Sequence, residues 1–342
     1  MRFAAAQSEQ TKSQEEGSDV DDDGFPKGLS SSLSSSRILG VSASATTKKR
    51  VRNGAGFVGT NRTIEKQYLR LTTFPKAQDV RPLEVLKMSL KHIKEQYIKN
   101  EDFDWANEQL KSVRQDITVQ GLRTMFVLDV YETHARILLE YGDLNEFNQC
   151  QTMIRTLTTG IGSSVDDGLG ENIELAYDVD GSPKLLSQLD DQKDEFGGYR
   201  LLYALIQNAD ISKSLTQTRL TVKERTEDRS SQKLSSCLHA MNVIKAVIHS
   251  DYRQFFRLYN SAPHLSSFLM DFLVKRIRDA AYERIMVAYR PSFGVEEIRA
   301  SLNFQDLKET KKFLKQNGAV FIKEKGEPRF LVDCKASRKC SS

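Results

Sequence analysis

Between Asp306 and Lys335, eight basic side chains stand against five acidic ones. Lys308, Lys311, Lys312 and Lys315 recur at helical spacing, so in a helix they form one row on the side away from Phe313 and Leu314. Lys323 and Lys325 alternate along a strand and its turn, which puts them on one face, and Arg329 follows across that turn. Such a surface can track phosphates without reading bases. An ordinary solvated face is the plain alternative. A second cluster, Lys48, Lys49, Arg50 and Arg52, lies in a stretch without apolar pattern. Basic side chains displayed on extended chain are what a nuclear import receptor reads. A solvated charge run is again the alternative.

Other residue types with chemical potential do not assemble into a site. Gly54-Ala55-Gly56-Phe57-Val58-Gly59 spells G-x-G-x-x-G, but Lys48 to Asn53 before it cannot be a buried strand, and no βαβ alternation follows. His134 has no second histidine at the offset of a helical zinc site, and the five histidines are scattered. Cys150, Cys237, Cys334 and Cys340 include no C-x-x-C pair, which is the usage of reduced thiols in nucleus or cytosol. No serine or cysteine has an evident base, so nucleophilic catalysis has no support. The expectation is a non-enzyme with no metal and no cofactor. Asn61-Arg62-Thr63 is a glycosylation sequon, silent without a secretory signal, and MRFAAAQSEQ lacks the apolar core of one. No apolar run is long enough to span a membrane. The net charge of +4 declares no nucleic-acid partner, so any basic surface must be local.

These side chains need elements to hold them. With 342 residues, 39% hydrophobic and 28% charged, the chain suits about two α-rich domains plus an unstructured length. Residues 1–60 read as a disordered tail: Asp19 to Asp23 is acidic and Ser30 to Ser36 nearly all serine. Thr63-Ile64-Glu65-Lys66 could open the first helix. Stripes follow at Leu83, Leu86, Leu90, Ile93 and Tyr97, at Leu122, Phe126, Val130 and Ile137, at Met241, Ile244 and Ile248, and at Leu269, Phe272, Leu273 and Ile277. Arg114, Asp116, Arg123, Glu132 and Arg136 mark the opposite, polar side of the Ser112–Leu157 hairpin. An aspartate before a large apolar residue opens a new helix at Asp102-Phe103, Asp143-Leu144, Asp210-Ile211 and Asp251-Tyr252. A spacing near 40 residues fits a two-helix solenoid repeat. The longer middle gap is filled by residues 158–192, a surface loop. Thus residues 61–290 form the solenoid. Residues 291–335 read helix, helix, hairpin: Val295 to Leu302, a helix capped by Asp306 and ended by Gly318, then strands at Ala319 to Ile322 and Arg329 to Val332. That is the order of a winged helix. Residues 336–342 are a tail.

Long motifs in the same region resemble a known family. RQDITVQGLR, YETHARI and GDLNEFNQCQ within Ser112–Leu157, Glu65 to Thr72 and Val80 to Leu86 upstream, and Glu195-Phe196 with Tyr199 to Tyr203 downstream are similar to the GANP family, PCI-like scaffolds of messenger-RNA processing and export. They fit its leukocyte receptor cluster member eight subgroup. The resemblance runs roughly from Thr63 to Lys335. It implies an all-α helical-hairpin solenoid followed by a C-terminal winged helix, nuclear and non-catalytic. It also implies pairing with a second PCI-domain protein and a small acidic proteasome-lid-like protein, and binding of RNA or DNA. Pairing of winged helices would occupy part of the lysine surface. The alternative within the same fold is a structural subunit of a proteasome-lid, signalosome or translation-initiation-factor-like assembly that binds no nucleic acid. A dinucleotide enzyme using Gly54 to Gly59 is the alternative from another class.

Overall fold

The computed structural model describes residues 57–159, 184–209, 212, 215, 235–323 and 330–337. Lys48, Lys49, Arg50 and Arg52 lie outside the described residues, as do Gly54 to Gly56, residues 160–183 and the pair Asp210-Ile211.

The stripe Leu86, Leu90 and Ile93 is buried on α1 (Leu83–Asn100). Then come α2 (Phe103–Gln120), α3 (Met125–Tyr141), α4 (Leu144–Thr159), α5 (Lys184–Ile206), α6 (Ser236–Ile248), α7 (Tyr252–Asn260) and α8 (Ser266–Ala288). Sequence neighbours pack on one another: α1 on α2, α2 on α3, α3 on α4, α5 on α6 and α6 on α7. Each helix alone leaves an apolar face uncovered, and stacking buries it; the result is a helical-hairpin solenoid. Starts and stops are locally encoded. The carboxylates of Asp102, Asp143 and Asp251 accept the N–H groups of Trp105, Glu146 and Gln254 at 3.1, 3.0 and 3.0 Å. Gly121 and Gly142 end α2 and α3 with φ of 63° and 94°, a region that glycine enters without a Cβ penalty.

Four expectations need correction. Thr63 to Lys66 opens no helix; the chain from Phe57 to Lys76 is a non-helical strap lying over α1 and α2. Its backbone groups are met by side chains instead: Gln120 Oε1 accepts from Gly59 N, and Gln109 Oε1 from Lys66 N. The 158–192 segment is not all loop, because α4 runs to Thr159 and α5 starts at Lys184. Ile248, assigned to an apolar stripe, is 65% exposed, because it is the last residue of its helix. Asp116 and Glu132 do not mark a solvated face, since both are about 1% exposed. Val130 and Ile137 are buried as expected, while Phe126, in the first turn of α3, is half-buried.

After α8 the chain forms β1 (Ser292–Gly294), α9 (Val295–Ser301), α10 (Leu307–Gln316), β2 (Val320–Lys323) and β3 (Phe330–Asp333). The strands make a three-stranded antiparallel sheet in the order β1-β3-β2. This is a winged helix with one strand more than the sequence pattern showed. β1 is only three residues long, too short for a period-two signal. Val295, Ile298, Leu302, Leu314 and Val332 form its core. α8 is common to both parts. It packs on α5 and α7, while further along it Tyr282 meets the Phe313 ring edge-on and donates to the Ser337 carbonyl at 3.3 Å.

Candidate nucleic-acid interface

The residues of the family-like motifs are structural. Arg114 on α2 donates to Glu146 Oε1 on α4 at 2.7 Å and meets His134 Nδ1 on α3 at 3.1 Å. His134 Nε2 in turn lies 2.9 Å from Asn107 Oδ1. That network assigns a neutral ring with its proton on Nε2. Burial holds the His134 pKa well below the usual imidazole range, helped by the cations Arg114 and Lys111. Arg136 on α3 forks onto Glu195 of α5 at 3.0 and 2.8 Å, and Tyr199 donates to the same carboxylate at 2.8 Å. Arg81, fully buried, joins Asp116 at 2.7 Å, Ser112 at 3.0 Å and the Ile64 carbonyl at 3.1 Å. Lys66 reaches Asp116 from the strap at 2.5 Å. A buried charge is tolerated only when paired and hydrogen-bonded. These groups therefore tie one helix to the next and are spent on that. Burial also pushes the Cys150 thiol up to about 12, which leaves it un-ionised and inert. Among the described residues no cluster of histidine, cysteine and carboxylate side chains could hold a metal ion.

The lysine row sits on α10. Asp306 caps this helix, accepting from Glu309 N at 2.6 Å. Thr310 and Leu314 are buried, which turns Lys308, Lys312 and Lys315 to solvent. Lys311 is different: its ammonium lies over the Phe330 ring, 3.4 Å from the centroid, and is half-buried. It fastens α10 to β3 by a cation–π contact. The strand register pairs Lys323 with that same Phe330. Lys325 and Arg329 lie outside the described residues. The structure thus brings Lys308, Lys312 and Lys315 together on one exposed face, with Lys311 beside them and engaged.

Two features were missed in the sequence. β2 is an edge strand that exposes Val320 (45%) and Ile322 (39%). And Arg278 on α8 ties the solenoid to the winged helix: it donates to the Leu302 and Asn303 carbonyls at 3.1 and 2.8 Å, pairs with Glu309 at 3.3 Å and lies 3.7 Å over the Phe304 ring. Its signal, one arginine among many, is invisible until the two parts are brought together. Beside it the seam opens into a cleft of about 630 Å³, with Lys275 and Lys312 on its walls. No helix among the described residues is long and apolar enough to cross a membrane.

Known proteins resemble the chain along most of this length. A model of the SAC3/GANP family matches residues 58–323. The chain is 36% identical over 283 residues to the leukocyte receptor cluster member 8 homolog of Xenopus laevis, covering 82% of this chain and 30% of that protein. It is 34% identical over 287 residues to a THP3 homolog of Schizosaccharomyces pombe, covering 84% and 64%. With SAC3 family protein A of Arabidopsis thaliana it shares 33% over 293 residues, covering 82% and 25%. The chain therefore spans less than two thirds of the length of each of these relatives.

Proposed function

The chain belongs to the SAC3/GANP family, and from that premise we propose that it is a non-catalytic nuclear scaffold that pairs with a second PCI-domain protein to bind nucleic acid during transcription-coupled mRNA processing or export. The observation that carries this reading is the exposed row Lys308, Lys312 and Lys315 on the capped helix α10 of a winged helix. A straight, solvent-facing row of ammonium groups suits a phosphate backbone, and counterion release supplies affinity without sequence. Lys311 stands beside that row, and in this reading Lys323, Lys325 and Arg329 serve as further phosphate contacts. The solenoid offers the long face a protein partner needs. The small acidic proteasome-lid-like protein completes the assembly, and Lys48, Lys49, Arg50 and Arg52 serve nuclear import.

The edge strand β2, with Val320 and Ile322 exposed, favours the second reading as well: a purely structural subunit that joins another chain at this edge. The two readings part on one experiment. The full chain, isolated with the proteins that accompany it, is titrated with two unrelated RNA sequences across a salt series. Changing Lys308, Lys312 and Lys315 together to glutamate should weaken both RNAs alike and lower the log–log salt slope by about two units, with the helical circular dichroism kept. Undiminished binding by that variant would overturn the role of the lysine row, and no RNA binding by the unchanged chain would overturn the nucleic-acid role and leave the structural one.

A further inference from the structure

α7 reads Tyr-Arg-Gln-Phe-Phe-Arg-Leu-Tyr-Asn from Tyr252 to Asn260. Phe255 and Phe256 are buried, which turns Arg253 and Arg257 to solvent one helical turn apart. Their Cβ atoms are then about 6 Å from each other, on one side of the helix. Next to them Tyr289 and Phe293 stack, with ring centroids 4.0 Å apart and planes at 26°. Both rings are half-exposed, and Arg253 donates to the Tyr289 hydroxyl at 3.0 Å. These four side chains line a cleft of about 530 Å³ between α7 and α9. It adjoins the larger cleft that holds Lys275 and Lys312. Between the two, Asn260 and Asn303 exchange amide hydrogen bonds of 3.0 and 3.4 Å. Among the described residues neither Arg253, Arg257, Lys275 nor Lys312 forms an ion pair with a carboxylate.

We propose that this seam is the path of a single-stranded nucleic acid, with Arg253 and Arg257 on its phosphates and the Tyr289–Phe293 pair as a platform for a base. The proposal rests on the nucleic-acid reading above and adds a site to it whose arginines and aromatic pair lie off the winged-helix lysine row, which the seam meets at Lys312. Three features select a single strand. The clefts have the volume of pockets that take a small planar group. An aromatic pair edged by arginine stacks any base and demands no sequence. A paired duplex keeps its bases stacked inside and cannot lower one into a concave seam. An acidic peptide would use the arginines, but it would give the aromatic platform and the amide pair nothing to do.

The test uses the full chain with fluorescent oligouridylate, a blunt RNA duplex and a polyglutamate peptide as probes. Arg253→Gln with Arg257→Gln should weaken oligouridylate about tenfold and reduce its salt slope by about one unit, at an unchanged melting temperature. Duplex binding should not move. The triple glutamate variant on α10 should instead weaken the duplex. In the wild-type chain, a 4-thiouridine oligonucleotide should photocrosslink to the peptide carrying Tyr289 and Phe293. Wild-type affinity of the arginine variant for oligouridylate overturns the proposal, as does an equal loss on both RNAs, which would mean a diffuse field and no strand site. Loss of polyglutamate binding alone makes the seam an acidic-peptide site and overturns it too. If the wild-type chain binds neither RNA, the nucleic-acid reading falls and takes the seam with it. If only the α10 variant fails to lose affinity, the lysine row falls and the seam stands.

Discussion

Glu132 has one carboxylate oxygen, Oε1, buried without a hydrogen-bond partner. The other oxygen lies 3.5 Å from Arg136, whose fork is already taken by Glu195. Burial, then the nearby carboxylates Glu195 and Asp129, outweigh Arg136 and push its pKa from 4.5 up to about 7. The sign of the consequence follows from proton counting. Between about pH 4.5 and about pH 7 the native state holds a proton that the unfolded chain has lost, so stability falls as pH rises through that window. The contribution is complete below it and gone above it, and amounts to no more than about 3 kcal/mol. Glu132→Gln should remove the slope: relative to wild type, the variant should gain stability between about pH 5 and about pH 8 in urea melts. An equal offset at both pH values would show that Glu132 does not titrate there. None of this was legible in the sequence. Arg114 and Glu146 are 32 residues apart, and Arg136 and Glu195 are 59 apart. Charges on the polar side of a lone amphipathic helix look solvated until another element covers them. The aspartate caps were legible, because each cap reaches only three residues along the chain.

At the scale of elements, α5 is the helix the sequence hid. Its start lies in a stretch whose composition suggests a loop, and Gly197-Gly198 sits in its interior, where each glycine costs about 1 kcal/mol relative to alanine. The reason lies across the interface. A Cβ on Gly198 would stand 2.7 Å from the Ser236 carbonyl oxygen, and one on Gly197 2.6 Å from Cys237 Sγ. Two bare positions let α6 approach closely enough for Asp194 to accept from Ser236 N and Ser235 Oγ, each at 2.6 Å. Gly198→Ala should therefore destabilise the chain by about 1–2 kcal/mol, despite alanine's better helix propensity, because backbone must move. Gly197→Ala meets only a side chain and should cost less. Thermal melts of the two variants decide it; a stabilised Gly198→Ala would mean the helices separate freely. The winged-helix order and the solenoid stripes were readable because their periods are local. The strap at 57–76 was not, since nothing in an extended segment announces what it lies on.

For the whole molecule, the boundary at residue 290 is the expectation with the most to lose. α8 carries Arg278 and Tyr282, and both hold the winged helix. A fragment of residues 291–342 lacks them and should show the circular dichroism of an unfolded chain. A fragment starting at Ser266 should recover helical signal and a cooperative melt. Equal folding of the two would make α8 dispensable to the winged helix. The continuity of α8 has a geometrical consequence. Its 23 residues make one rod about 35 Å long, with no break between the part gripped by α5 and α7 and the part that carries the winged helix. Such a rod fixes a phase. One residue inserted before Arg278 would swing everything beyond it by about 100° and advance it by about 1.5 Å, whereas seven would restore the bearing to within about 20° at a displacement near 10 Å. The angle between the solenoid and the lysine row is thus written as an integer, the number of residues in a single helix. It can change only in steps, and most of those steps point the row the wrong way.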